Sequence, residues 1–185
     1  FSISQEQKDR LTALPSINLI SETISETALI EFNDKQTPIQ IMGVDSAFAK
    51  ITQIENIITD GSYEVYDGAF DRAVLGQVLA WKIGIGARFV QSIQIYAPKR
   101  EGKVNMLRPD MNFNRETCFI SGIFSVNQQK YDENLMLVDI GLTRRLLEYS
   151  DNEITALEVS ISDGYNTSKA KREIQALLGE GYTLQ

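Results

Sequence analysis

Apolar and polar residues along the chain follow two different periods, and the changes between them mark the elements. Ser4-x-x-Gln7 fits a capping box, in which each side chain satisfies a free amide at a helix start. Leu11 and Leu14 give that helix an apolar edge, and Pro15 stops it. From Ile17 to Val44 the pattern shortens to β-like runs. Ala28 to Phe32 and Ile39 to Met42 flank the polar connector Asn33-Asp34-Lys35-Gln36, which suits a hairpin. A tight segment from Gly43 to Phe48 follows, and then Ile51 to Ile58 with apolar residues at mixed spacing. Turn signals crowd residues 60–72, at Asp60-Gly61, Asp67-Gly68 and Asp71. Ala73 to Gly84 reads as a short strand, a turn at Gly76 and a brief helix ended by Gly84. Ser92 to Tyr96 alternates as a half-buried strand does.

The last third is cleaner. Cys118 to Phe124 and Leu135 to Val138 read as buried strands. Leu142, Leu146 and Tyr149 share a helical face, with Asp139 placed as its cap. Leu157, Val159 and Ile161 alternate with Glu158 and Ser160, which signals a strand. Ala170, Ile174 and Leu177 mark a second helix closed by Gly179, and Tyr182 to Leu184 is expected to be a terminal strand. This sequence of elements makes a βαβ-like half. There is no internal repeat and no low-complexity tract.

Composition narrows the function classes. The 185 residues include 18 basic and 25 acidic side chains, giving a net charge of −7. A hydrophobic share of 43% is that of a globular chain. No stretch approaches the roughly 18 unbroken apolar residues of a membrane-spanning helix. There is no histidine, which removes Ser-His-Asp and Cys-His nucleophiles and histidine-ligated zinc. Cys118 is the single cysteine, so no intrachain disulfide exists. A pI near 4.7 argues against a nucleic-acid partner. Phe1-Ser2-Ile3-Ser4 lacks an initiator Met and the features of a signal peptide. It reads as a cut in a longer chain or as a processed start.

Candidate chemistry is thin. Gly84-Ile85-Gly86 follows a helix, whereas a phosphate cradle precedes one, so a helix terminator and turn is the better reading. Carboxylates pair in sequence at Asp132-Glu133, Asp60/Glu64 and Asp67/Asp71, but none lies in an apolar run that would raise a pKa for acid catalysis. Asp132-Glu133-Asn134 lacks the spaced oxygens of a calcium loop. Trp81 and Val78, on the same short helix, read as core packing. Cys118 reads as an inert buried thiol.

One segment breaks the pattern. Residues 97–116 hold five basic side chains, Lys99, Arg100, Lys103, Arg108 and Arg115, against three acidic ones. Met106, Leu107 and Met111 stand among them, where a plain connector needs only a few polar residues. Flexible apolar side chains on a long loop suit an adaptable docking tip. The alternative is a hairpin extension whose methionines fold back onto its own sheet. The residues alone leave both open.

Together the segments resemble a known family. Ile41-Met42-Gly43-Val44-Asp45-Ser46 and Ile57-Ile58-Thr59-Asp60-Gly61-Ser62 are similar to early blocks of the extracytoplasmic domain of lipoprotein-releasing-type ABC transporter permeases. Ala73-Val74-Leu75-Gly76 with Leu79-Ala80 resembles that family's Gly-x-x-Leu-Ala block. Ser121-Gly122-Ile123-Phe124, Tyr131-Asp132 and Leu135 to Leu147 resemble the block that follows. The match in order and spacing covers most of the chain from about residue 40 onward. Two positions depart from the pattern: Ala87-Arg88 stands where the family begins a strand with Asp, and Ser46 stands where Pro is frequent.

The resemblance implies an α+β fold. Residues 1–60 and 125–185, from both chain ends, would form a porter-like α/β subdomain, and residues 61–124 an inserted, mainly β subdomain. It implies that Phe1 and Gln185 adjoin transmembrane helices, that the domain stands on the periplasmic side of the inner membrane, and that it performs no chemistry. No cofactor is expected in this domain, because ATP is bound by a separate cytoplasmic ATPase subunit reached through the membrane helices. A second permease subunit is the other implied partner. The loop role in lipoprotein-releasing permeases, engagement of a periplasmic carrier or adaptor, transfers to Lys99, Arg100, Met106, Leu107, Arg108 and Met111. Relatives export macrolides or toxins, or control cell-wall hydrolases. A carboxylate-dependent hydrolase is the remote alternative.

Overall fold

A computed structural model describes residues 1–86, 90, 92–100, 106–179 and 181–184. The unusual pair Ala87-Arg88 lies outside the described residues, as does Lys103. The first helix, α1 (Gln5–Thr12), starts as its sequence requires. The Ser4 hydroxyl accepts from the Gln7 N–H at 3.2 Å, and Gln7 Oε1 accepts from the Ser4 N–H at 2.9 Å. The hairpin of β1 (Ile17–Phe32) and β2 (Lys35–Val44) is longer than the sequence pattern indicates. Its turn is only Asn33-Asp34, both left-handed at φ 49° and 60°. Such a two-residue turn matches the twist of the paired strands, so Lys35 and Gln36 join the ladder instead of the loop.

The chain continues through α2 (Phe48–Thr52), β3 (Ile58–Gly61), β4 (Arg72–Gly76), α3 (Gln77–Ile83), β5 (Ser92–Pro98) and β6 (Phe113–Phe124). It ends with α4 (Gln129–Asp132), β7 (Leu135–Asp139), α5 (Ile140–Leu147), β8 (Ala156–Ile161) and α6 (Thr167–Leu178). Six strands close a ring in the order β1-β2-β7-β4-β6-β5 and back to β1. The pairs β2–β7 and β4–β6 are parallel and the others antiparallel. Closure follows from the length of β1: residues 29–31 pair with β2 on one edge and β5 on the other, and β8 takes the first half of that second edge. The long strand β6 repeats this device, carrying β5 and β3 in succession on one edge and β4 on the other.

Helix α5 packs against β1, β2, β5, β6 and β7 and contributes Leu142 and Leu146 to the main core. A second, smaller core gathers Val44, Phe48, Ile54, Val74, Phe124, Leu135 and Leu137. Strands β4 and β7 separate the two, with Ala73, Leu75, Met136 and Val138 facing the first and Val74, Leu135 and Leu137 facing the second. Burial on both faces is why these strands read as unbroken apolar runs. The result is a mixed α/β fold in which sheet predominates. No change of sheet marks the expected boundaries at 60/61 and 124/125. Strands β4, β5 and β6 from the middle complete a ring with β1, β2 and β7, and they share the main core with them.

Three expectations are corrected. Residues 182–184 form no strand. Strands β7 and β8 point the same way but are not neighbours. The β1–β2 hairpin lies between them, so the βαβ unit is split. Trp81 is not core packing. A seven-residue helix has one buried face, which Leu79, Ala80 and Ile83 occupy, and that leaves the indole 70% exposed. As the single Trp of the chain it gives a direct check. Its fluorescence should be water-like and fully open to iodide quenching, and Trp81→Ala should change stability by no more than about 0.5 kcal/mol. A blue-shifted, protected emission would contradict this placement.

Candidate interaction site

The atypical segment joins β5 to β6. Beyond Pro98 the ladder runs one step further, with the Lys99 N–H donating to the Asn112 carbonyl at 2.9 Å. On the far side Arg108 leads into a single 3₁₀ turn, Pro109–Asn112, and Arg108 Nη1 donates to Met111 Sδ at 3.9 Å. Met111 lies on this turn, and Met106 and Leu107 come just before it. Met106 is 88% exposed, Leu107 95% and Met111 48%, so the methionines do not fold back onto the sheet. Phe113, 43% exposed at the start of β6, extends the same patch. The sequence reading missed it, although an aromatic between Asn112 and Asn114 is as anomalous there as the methionines.

Arg100 does something different from its neighbours. Its backbone N–H donates to Glu148 Oε2 at 3.0 Å, Nη1 to the Glu148 carbonyl at 3.3 Å and Nη2 to Glu153 Oε1 at 2.7 Å. The guanidinium also sits 4.5 Å from the centre of the Tyr149 ring. Tyr149 in turn donates to Glu26 Oε1 at 2.8 Å. Burial, and then that bond, push the Tyr149 phenol up to about 12, so it remains a donor at any physiological pH. Asn114 Nδ2 donates to the Leu146 carbonyl at 3.0 Å and adds a second tie to the same helix end. Both strand ends of the segment are thus rooted on α5 and the turn after it. Lys99 is exposed beside this root.

Hydrogen bonds from Arg100, and then from the Ser150 N–H, hold the Glu153 carboxyl down to about 2. The Phe70 and Ala69 N–H groups, followed by Arg72, do the same for Asp67. Both folded values lie below the ordinary 4.5 and 3.8. The stabilisation they represent is therefore complete above the ordinary carboxyl range and is lost as pH falls toward 2. Carboxyl-carbon titration followed by NMR should place both midpoints near 2. A Glu153 midpoint at an ordinary carboxylate value would show that the root is not formed.

Among the described residues, the carboxylates paired in sequence at 67/71 and 132/133 are engaged with partners other than each other. Asp67 is bound to Arg72 at 2.5 Å and Asp71 to Arg145 at 2.7 Å. Asp132 is buried and accepts from the Val126 N–H at 2.9 Å and the Ser125 hydroxyl at 3.2 Å. Glu133, beside it, points instead to Lys82 at 3.5 Å. Asp67 and Glu153 are shifted toward the charged form, the opposite of what a general acid needs. Among the described residues no three acidic or sulfur side chains converge as a metal site. Cys118 is fully buried, and burial pushes its thiol up, as an inert core cysteine requires.

This closed, mixed ring of strands packed with one short helix has the fold of solved extracytoplasmic domains of ABC-type transporters. The periplasmic region of MacB from Actinobacillus actinomycetemcomitans superposes with a TM-score of 0.68, over 96% of this chain and 74% of that one, at 13% identity. The extracellular domain of the noncanonic ABC-type transporter YknZ from Gram-positive bacteria gives 0.68 over 96% and 82%, at 12% identity. At such identities the likeness is one of fold. No protein-family profile and no sequence among curated proteins matches the chain.

Proposed function

We propose that the chain is the extracytoplasmic domain of an ABC transporter permease, standing on the periplasmic side of the inner membrane. It does no chemistry. It passes motion driven by a cytoplasmic ATPase subunit to a step on the periplasmic side, most like the release of lipoproteins from the membrane. The chain ends support this reading. The Phe1 and Tyr182 rings meet edge-on at 5.2 Å, and the Tyr182 hydroxyl donates to the Ser2 carbonyl at 3.1 Å. Phe1 and Ser2 therefore lie beside Tyr182, an arrangement that suits a domain carried between two membrane helices.

The observation that carries the functional part is the exposed tip on its rooted hairpin. Burying Met106, Leu107 and Met111 in a partner yields about 1.5–3 kcal/mol each before ordering costs, which suits a transient contact with a periplasmic carrier. Fixing the base through Arg100 reduces those costs. Replacing residues 99–111 with a Gly/Ser linker in the complete transporter should cut transport at least tenfold, about 1.4 kcal/mol of coupling or more. Assembly with the ATPase and its basal ATP hydrolysis should be unchanged. Full transport by that variant would contradict the role of the tip.

A further inference from the structure

The chain holds four methionines and one cysteine, and the fold sorts their sulfurs into two environments. Met136 of β7 is fully buried in the main core. Met42 of β2 is half-buried against the smaller core. Cys118 of β6 is fully buried. Only Met106 and Met111 are exposed, and both belong to the tip between β5 and β6. Met106 is the more open of the two, while Met111 Sδ already accepts from Arg108 Nη1 at 3.9 Å.

This placement has a chemical consequence. The lone pair of a thioether sulfur attacks one oxygen of hydrogen peroxide, and the O–O bond breaks. The attacked oxygen passes its proton to the departing one, which leaves as water. Sulfur is oxidised by two electrons, the peroxide is reduced by two, and methionine becomes its sulfoxide. Access to the sulfur decides which methionine reacts. We propose that Met106 and Met111 are an oxidation site, where a peroxide-class oxidant converts the apolar tip into a polar one.

Neither residue belongs to a core, so the added oxygen leaves the packing untouched. The bonds at the base of the segment, from the Lys99 N–H to the Asn112 carbonyl and from Arg100 to Glu153, involve no sulfur. What changes is the contact surface. A partner pocket that accepts a thioether must, with the sulfoxide, bury a strong hydrogen-bond acceptor that has no donor. This consequence rests on the docking role proposed above. A dithiol-dependent reductase reverses the change, two thiols giving a disulfide and water as the thioether returns. Oxidation of Met136 would instead put a polar atom into the closed core. The tip therefore behaves as a switch, not as a lesion.

Peptide mass mapping of the peroxide-treated chain tests the site. One oxygen should enter Met106 and then one Met111, both at least about ten times faster than Met42 or Met136. In denaturant the four should react alike. The unfolding midpoint of the doubly oxidised chain should match that of the untreated one. Equal reaction of all four in the folded chain, or a lowered midpoint, would overturn the proposal. In the complete transporter, brief peroxide treatment should lower transport at least about tenfold, and methionine sulfoxide reductase with a dithiol should restore it. Met106→Leu with Met111→Leu keeps the apolar surface without its sulfurs, and should transport normally after the same treatment. Full transport by the oxidised transporter, or an equal loss in the leucine variant, would overturn the switch. A failed docking role shows separately, because the 99–111 linker variant tests it without oxidant.

Discussion

Glu22→Gln should lower the stability of the domain by about 3–5 kcal/mol, a fall in Tm of roughly 6–20 °C for a chain of this length. Glu22 lies where α1, β1 and α5 meet. It accepts from Lys8 of α1 at 2.5 Å through one oxygen and from Arg144 of α5 at 2.8 Å through the other. The three side chains are 16%, 11% and 20% exposed, so water cannot replace the bonds that one carboxylate makes to two cations. Its backbone is fixed as well, with the N–H donating to Asp45 Oδ2 at 2.8 Å. The amide keeps the shape of the site but leaves two partly buried cations facing each other. Lys8→Met in the same chain should therefore recover part of the loss, because one orphaned charge is gone. A loss below about 1 kcal/mol would mean that the cluster behaves as an ordinary surface pair.

Gly76→Ala is the second large effect, at about 1–3 kcal/mol. The backbone there, at φ −61° and ψ 143°, suits any residue, so conformational freedom is not the reason for glycine. Space is. A Cβ would stand 2.5 Å from the Asp132 carbonyl oxygen and 2.7 Å from that of Tyr131. Both belong to the backbone of α4 and cannot rotate away. Making room means moving α4, and with it the buried Asp132 carboxylate that holds Ser125 and Val126. Gly181→Ala, where a Cβ meets nothing, is the control and should be neutral. Denaturation midpoints of the two variants that coincide would contradict the close approach.

That contact also explains why part of the fold could be read in the sequence. Gly43, Gly76 and Gly122 all stand in the blocks that carry the family resemblance. A Cβ at Gly43 would overlap the Thr143 side chain of α5, and one at Gly122 would overlap the Ser62 carbonyl. The blocks mark where helices and loops press on the ring, so their order carried the architecture. Closure of the ring was not legible. The pairs β2–β7 and β4–β6 join residues about 95 and 47 positions apart, and local periodicity holds no record of such partners. The hairpin length was misjudged because nothing in Lys35-Gln36 distinguishes a polar strand from a polar loop.

The candidate site was half legible for the same reason. Met106, Leu107 and Met111 stand out as apolar residues without a period, and the structure leaves them exposed. The root at Arg100 could not be foreseen, since Glu148 and Glu153 lie 48 and 53 residues away in sequence.

The central claim is that this fold serves as the extracytoplasmic part of a permease. Reading the gene outward from the codons of Phe1 and Gln185 tests it most directly. An apolar stretch of about 20 residues is expected on each side, long enough to cross a bilayer, with a gene for an ATPase subunit alongside. Polar flanks on both sides, with no such gene nearby, would contradict it.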